Sequence, residues 1–161
     1  MSTPTASLGL GFGLLGVSNV APISDAEAER MFAAALDTGI RRFDTAPLYG
    51  GGVSEERLGR LIAGIDRSSC RLSTKVGRYR PYAAAVTNPM ANPGDWHDYS
   101  ADATRRSIEQ SLARLGTDRL DIVFLHPCDA PVGAALDGAL PVLAHLTPPR
   151  VTRPLASRSH L

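Results

Sequence analysis

The sequence has few cysteines, little net charge and no long uninterrupted apolar run, and each shortage narrows the class of protein. Its 161 residues include two cysteines, Cys70 and Cys128, which are too few for a disulfide framework and suit a reducing cytoplasm. A net charge of +1 gives no reason to expect a nucleic acid or an acidic membrane as partner. No apolar run approaches the roughly 20 residues that a membrane-spanning helix needs. We therefore expect a cytoplasmic globular protein without nucleic-acid or membrane partners.

The amino-terminal segment LGLGFGLLG, residues 8–16, is apolar and rich in glycine. A secretory signal has a basic segment before its apolar core, whereas the first basic residue here is Arg30, so we reject that interpretation. Leucine and phenylalanine alternate with the glycines, which predicts a short strand leading into a turn. A phosphate-binding loop is the alternative, although no Lys-Ser or Lys-Thr pair follows the glycines.

Helical and strand-like segments alternate along the chain. Ser24 and Glu27 form a capping box that predicts the start of a helix, and Gly39 predicts its end. The run LDIVFLH at residues 120–126 is nearly all apolar, as expected for a strand buried on both faces. Such alternation predicts a parallel α/β sheet with about four βα units. Further helices are predicted to begin at Ser54, at Asp102 or Ser100, and near residue 132, and further strands to cover residues 40–43 and 71–76.

Two segments do not fit the alternating pattern. Residues 77–99 form a polar stretch longer than ordinary connections, and loops of this length are often functional lids. Residues 138–161 contain no Asp or Glu, and the last part, residues 148–161, has neither a strand nor a helix pattern. We expect residues 148–161 to be an irregular tail.

Polar side chains follow three successive predicted strands. Asp44 follows the second strand and Tyr49 lies just beyond it, Lys75 is near the end of the third, and His126 ends the fourth. Each has an ordinary structural interpretation: a turn cap, a loop aromatic, a surface cation and a core histidine. Because the carboxyl ends of parallel strands meet at one edge of the sheet, we expect the four side chains to lie together.

The chemistry of these four residue types is complementary. A tyrosine hydroxyl, with a pKa of about 10, is a poor acid at neutral pH, and a lysine ammonium nearby favours its phenolate form. A carboxylate makes a buried ammonium tolerable, and a histidine can donate to a substrate oxygen or help relay a proton. The set predicts proton transfer to or from a carbonyl or alcohol oxygen. Cys128 follows His126 closely, but other ligands at suitable spacing are missing, so we expect no metal.

These motifs resemble those of the aldo-keto reductase family. The blocks FDTAPLYG, SEERLG, STKVGR and SIEQSLARLGTDRLDIVFLH are similar to its signature blocks, in the same order and at suitable intervals. The short DTAPLYG form and the loop ending in DYSAD resemble the branch that contains L-fucose, D-threo-aldose and pyridoxal dehydrogenases. The likeness extends over residues 8–146. It departs from the family at Phe12, where Thr is more usual, and at Pro127 and Cys128, which replace an acidic, polar loop.

The resemblance implies a TIM-type (β/α)₈ barrel and NAD- or NADP-dependent interconversion of an aldehyde or sugar hemiacetal with its alcohol or lactone. Tyr49 would be the general acid/base, Lys75 the partner that favours its phenolate, Asp44 the partner of Lys75, and His126 the group that orients the substrate. The resemblance also implies cofactor contacts at Phe12, Gly13 and Asp44. The substrate would be a small aldehyde or sugar.

The length of the chain sets a limit on this expectation. A (β/α)₈ barrel takes about 250 residues, so we expect residues 1–147 to form only the first four βα units, a half barrel. The main cofactor contacts of the family would then lie in the missing carboxyl-terminal half, and we expect weak NADPH binding. Open sheet edges would favour self-association. The alternatives to an active enzyme are an inactive truncated fragment and a non-enzymatic interaction subunit.

Overall fold

The computed structural model describes residues 8–13, 23–80, 94–126, 132–146 and 154–156. Its main sheet contains five parallel strands, and a separate two-stranded antiparallel ribbon lies beside it. The strands are β1 (Leu10–Gly11), β2 (Arg42–Asp44), β3 (Arg71–Val76), β4 (Arg78–Tyr79), β5 (Trp96–His97), β6 (Ile122–Leu125) and β7 (Pro154–Ala156). The order in the main sheet is β1-β2-β3-β6-β7, so the strands advance in one direction across it.

Helices connect the parallel strands. Since such crossovers are right-handed and the strand order advances in one direction, the connecting helices pack on the same face of the sheet. The core lies between that face and the helices. In it, three aromatic rings from the first part of the chain pack against one another: Phe12, Phe32 and Phe43. The helices are α1 (Asp25–Asp37), α2 (Val53–Ile62), α3 (Ala101–Leu115), and a last segment of α4 (Val132–Ala134), a π-helical stretch (Ala135–Ala139) and α5 (Leu140–His145).

The local signals explain where these helices begin and end. Ser24 and Glu27 form the predicted capping box at the start of α1. Gly39 follows the helix with a φ of 82°, and Gly116 ends α3 with a φ of 61°. Of the two predicted caps for α3, Ser100 is the one that accepts a hydrogen bond, from the backbone N–H of Ala103. The predicted parallel α/β architecture, with its four βα units, is confirmed.

The carboxyl-terminal segment departs from the prediction. Pro154–Ala156 forms β7, which pairs in parallel with β6 in the register Val123 with Pro154 and Leu125 with Ala156. The prediction of an irregular tail is therefore wrong for these three residues, and the side of β6 that we expected to be open is paired there. The physical reason is the edge itself, because unpaired N–H and C=O groups of β6 offer partners to any extended segment. Proline is tolerated as the first residue of such a strand.

The base of the long polar segment is an antiparallel ribbon. Arg78 pairs with His97 and Tyr79 with Trp96, so the chain leaves β3 and returns to α3 along β4 and β5. The carboxylate of Asp95 binds Arg80 through two hydrogen bonds, of 2.7 and 3.1 Å, and Arg78 through one of 3.1 Å. Residues 81–93, the rest of the predicted lid, lie outside the described residues. Within the described part, no helix has the length and apolar character to cross a membrane.

Candidate active site

Asp44 and Lys75 form an ion pair across two neighbouring strands. Asp44 is the last residue of β2, and Lys75 lies near the end of β3. The Nζ of Lys75 donates to Oδ2 of Asp44 over 2.6 Å and to the backbone oxygen of Thr45 over 2.9 Å. The Lys75 side chain is only 13% exposed, so the carboxylate and the carbonyl oxygen compensate for the loss of water around its charge.

Tyr49 lies above this ion pair. It begins a 3₁₀ turn, Tyr49–Gly52, and the centroid of its ring is 4.9 Å from the Nζ of Lys75. The ring meets that of His126 edge-on, with centroids 6.2 Å apart and an interplanar angle of 80°. The turn depends on the three glycines after Tyr49, whose φ angles of 67°, 64° and 109° are positive. The predicted placement of all four polar residues at one sheet edge is thus observed.

His126 completes the cluster from β6. Its backbone N–H donates to the carbonyl of Val76 over 2.8 Å, which holds the residue beside the end of β3. The side chain is buried, and its Nδ1 has no hydrogen-bond partner among the described residues. Burial, reinforced by the positive charges of Lys75 and Arg78, lowers the pKa of His126 to about 4. The imidazole is therefore neutral at pH 7.

The end of β1 borders the cluster. The side chain of Phe12 is buried, with its ring centroid 5.8 Å from that of Phe43. Its backbone N–H donates to the carbonyl of Asp44 over 2.7 Å, and its carbonyl accepts from the hydroxyl of Ser54 over 2.7 Å. Gly13 lies against Tyr49, since a Cβ on it would stand 3.7 Å from Cζ of the tyrosine. At Gly11 no atom lies within 4 Å of the place a Cβ would take. Gly11 thus leaves open space beside Asp44, its partner in β2.

Sequence reasoning missed a fifth polar residue of the cluster. The hydroxyl of Ser73 donates to Oδ1 of Asp44 over 2.7 Å. Ser73 precedes Lys75 by two positions on one strand, and residues with this spacing share a face of a sheet. The spacing predicts that Ser73 shares a face with Lys75, but it does not predict which residue of β2 lies opposite Ser73. The observed register shows that this residue is Asp44.

Together these groups are suited to moving a proton. A phenol, an ammonium, a carboxylate and a neutral imidazole converge where two of the side chains, Asp44 and Tyr49, remain partly accessible. Among the described residues, no three His, Cys, Asp or Glu side chains are placed to hold a metal ion. Cys128 lies outside the described residues, so the expected absence of a metal there stays a prediction.

Comparison with known proteins extends these observations. The D-threo-aldose 1-dehydrogenase of Pseudomonas sp. is 40% identical over 147 residues, which cover 83% of this chain and 44% of that protein. The pyridoxal 4-dehydrogenase of Microbacterium luteolum is 38% identical over 135 residues, or 74% of this chain and 39% of that protein. The chain thus spans less than half the length of these two relatives.

Solved structures agree with the sequence relatives. A crystal structure assigned to the aldo-keto reductases, from Pseudomonas aeruginosa, matches with a TM-score of 0.76 and 34% identity, over 92% of this chain and 54% of that one. The holo form of an aldo-keto reductase from Bacillus halodurans matches with a TM-score of 0.74 and 28% identity, over 93% of this chain and 45% of that one. The sequence model of the Aldo/keto reductase family matches residues 7–147. The chain therefore belongs to the aldo/keto reductase family.

Proposed function

We propose that this chain carries the acid–base half of an NAD- or NADP-dependent oxidoreductase that interconverts a small aldehyde or sugar hemiacetal with its alcohol or lactone. One observation carries the proposal. The ammonium of Lys75, paired with Asp44 at 2.6 Å, lies 4.9 Å from the centroid of the Tyr49 ring, and His126 meets that ring edge-on. Dehydrogenases of an aldose and of pyridoxal among the relatives support the substrate class.

Tyr49 is the general acid/base in this proposal. During oxidation the Tyr49 oxygen takes the proton of the substrate hydroxyl, with the Lys75 ammonium, 4.9 Å from the centroid of its ring, as the neighbouring positive charge. In the direction of reduction, the phenol returns the proton to the carbonyl oxygen. Asp44 keeps Lys75 in place, and neutral His126 is a hydrogen-bonding partner for the same substrate oxygen.

The residues present fit one edge of a nicotinamide site. The open space at Gly11 leaves room for a flat ring beside its strand partner Asp44, whose carboxylate is 35% exposed. Gly13 would contribute a backbone contact and Asp44 a polar one, whereas the backbone N–H and C=O of Phe12 already bind Asp44 and Ser54. A bound nicotinamide dinucleotide would supply or accept the hydride.

A second candidate is a non-catalytic protein, either an inactive fragment or an interaction subunit. The chain spans less than half the length of these two curated relatives. Self-association through the edge of β1 also belongs to this proposal, since β1 has a neighbour on only one side in the described sheet.

A cytoplasmic location is supported by Cys70, which is buried and is not in a disulfide bond.

The decisive experiment measures reduction of NAD⁺ and NADP⁺ by the purified chain with L-fucose, D-arabinose and pyridoxal. Under the first proposal at least one substrate is oxidised, and Tyr49→Phe lowers kcat by two orders of magnitude or more, about the contribution of general acid–base catalysis. Tyr79→Phe is the matched control, because it removes a hydroxyl that accepts from the backbone N–H of Gly77 over 3.0 Å, outside the four polar residues, and it should change kcat little. Activity that survives Tyr49→Phe excludes the mechanism. A complete lack of turnover in the unmodified chain favours the second candidate.

A further inference from the structure

The carboxylate of Asp44 is bound at both of its oxygens. Lys75 donates to Oδ2 over 2.6 Å, and the hydroxyl of Ser73 donates to Oδ1 over 2.7 Å. Ser73 is 9% exposed, whereas the Asp44 side chain is 35% exposed. A buried donor on the inner oxygen therefore restrains a carboxylate that water can reach.

The register of the sheet makes this contact direct. Asp44 and Ser73 are partners across the β2–β3 pair, and Lys75 lies two residues further along the same face of β3. Thr74, between them, points to the opposite face, where its hydroxyl donates to Oε1 of Glu55 over 2.7 Å. One strand thus presents two hydroxyl groups to two different carboxylates, and only that of Ser73 belongs to the acid–base cluster.

The last side-chain torsion of an aspartate has a broad range of favourable angles, so a single hydrogen-bond partner leaves the orientation of the carboxylate loosely defined. If Oδ1 of Asp44 had no donor, the exposed carboxylate could rotate toward water and leave Lys75 with only the carbonyl of Thr45, at 2.9 Å. A donor on Oδ1 would oppose this rotation, and the position of the ammonium relative to the Tyr49 ring would then depend on Ser73.

We propose that Ser73 is a positioning residue, whose hydrogen bond to Asp44 holds the Lys75 ammonium in place beside Tyr49. The effect on turnover rests on the function proposed above, but the effect on Lys75 does not. The competing explanation is local: the hydroxyl of Ser73 also lies 3.5 Å from the carbonyl oxygen of Phe43, and that contact would satisfy a buried polar group without any effect on Lys75.

The sequence offers a direct probe, because Lys75 is its single lysine. In the full chain labelled with ¹⁵N-lysine, one side-chain ammonium signal reports the rate at which the Nζ protons exchange with water. We expect Ser73→Ala to raise this rate by about tenfold, the factor that corresponds to the loss of one hydrogen bond to a charged group. Ser73→Thr retains the hydroxyl and should restore the original rate.

Thr74→Val is the matched control, since it removes the neighbouring hydroxyl from Glu55 on the opposite face of the same strand. It should leave the exchange rate of Lys75 unchanged. An unchanged rate in folded Ser73→Ala, or an equal rise in Thr74→Val, overturns the proposal. If Ser73→Ala does not fold, Ser73→Cys replaces it, because a thiol is a similar but weaker donor and should raise the rate by a smaller factor.

Turnover is a separate readout. Where the unmodified chain is active, Ser73→Ala should lower kcat more than it changes KM, and Ser73→Thr should restore kcat. Should the unmodified chain show no turnover, the proposed oxidoreductase activity fails, while the exchange rate of Lys75 still decides the role of Ser73. Rapid exchange in both Ser73→Ala and Ser73→Thr would count against it.

Discussion

The hydroxyl of Tyr99 donates a hydrogen bond of 2.6 Å to the backbone carbonyl of His126. The Tyr99 ring is buried against Gly77, whose φ of 100° and lack of a side chain give the ring its place. The ring also stacks on His97, with centroids 6.3 Å apart and an interplanar angle of 11°. Tyr99, at the carboxyl-terminal end of the 77–99 segment, therefore holds the backbone of His126 in the candidate active site.

The change Tyr99→Phe tests this support. It keeps the ring and removes only the hydroxyl, so a buried carbonyl loses a donor, and we expect the free energy of unfolding to fall by about 1 kcal/mol. Urea unfolding measures the loss. Gly77→Ala should cost more, because an added Cβ would overlap the Tyr99 ring and the backbone conformation is unfavourable for alanine. Equal stability of Tyr99→Phe and the unmodified chain would contradict the prediction.

His126 should make the stability depend on pH. Its pKa is lowered to about 4 in the folded chain, chiefly by burial, whereas an unfolded histidine titrates at about 6.5. Between these values the unfolded state binds more protons, so stability falls as the pH drops from about 6.5 to about 4, by roughly 3 kcal/mol in total. Urea unfolding across this range should show the slope. In the variant His126→Gln, the dependence of stability on pH over this range should be weaker. An unchanged slope in the variant would exclude His126 as the cause.

The sequence alone could predict the placement of the four polar residues. Each follows a recognisable strand run, and parallel alternation with helices is enough to bring the ends of such strands to one edge. The capping box at Ser24 and the stop at Gly39 were predictable for a similar reason, since they depend on residues close in sequence.

Other features depend on contacts between distant parts of the chain. The role of Ser73 requires the β2–β3 register, which no local pattern encodes. The low pKa of His126 requires its burial and the positions of Lys75 and Arg78. Strand β7 has no sequence pattern of its own and forms because β6 offers a partner. The sequence thus predicts which residues meet, while register and burial determine their properties.

A buried ion pair behind the site should be important for stability. The carboxylate of Glu55 is fully buried, accepts from Arg114 over 2.7 Å and from Thr74 over 2.7 Å, and joins α2 to α3 and β3. Removing it by Glu55→Ala leaves the Arg114 charge without its partner, so we expect a loss of about 3–5 kcal/mol in the free energy of unfolding.

The exposed ion pair of Arg105 with Asp102 is the control, because it tests the loss of a charged partner where neither side chain is buried. Its atoms are 3.5 Å apart at the surface, and Arg105→Ala should cost less than about 1 kcal/mol. Gly52→Ala should also destabilise, because Gly52 has a φ of 109° and an added Cβ would lie 2.8 Å from the side chain of Arg114. A Glu55→Ala variant as stable as Arg105→Ala would show that the buried pair adds little.

Asp121 should stabilise the opposite end of the sheet in a pH-dependent way. Burial alone would raise the pKa of Asp121, but the backbone N–H of Leu72 and the guanidinium groups of Arg67 and Arg71 together lower it below its ordinary value. Because the folded pKa is the lower one, the stabilisation is present above the unfolded pKa of about 4 and is lost as the pH falls below it.

The variant Asp121→Asn should therefore be less stable than the unmodified chain at pH 7, by about 3 kcal/mol for a buried ion pair that loses one charge. Near pH 3, below the unfolded pKa of about 4, the difference should shrink, since the unfolded chain then binds a proton that the folded carboxylate binds less readily. Urea unfolding at both pH values measures it. Asp118→Asn is the matched control, because that side chain is 81% exposed and should show little difference at either pH. A difference for Asp121→Asn that is equally large at both pH values would mean that its charge is not what stabilises this end of the sheet.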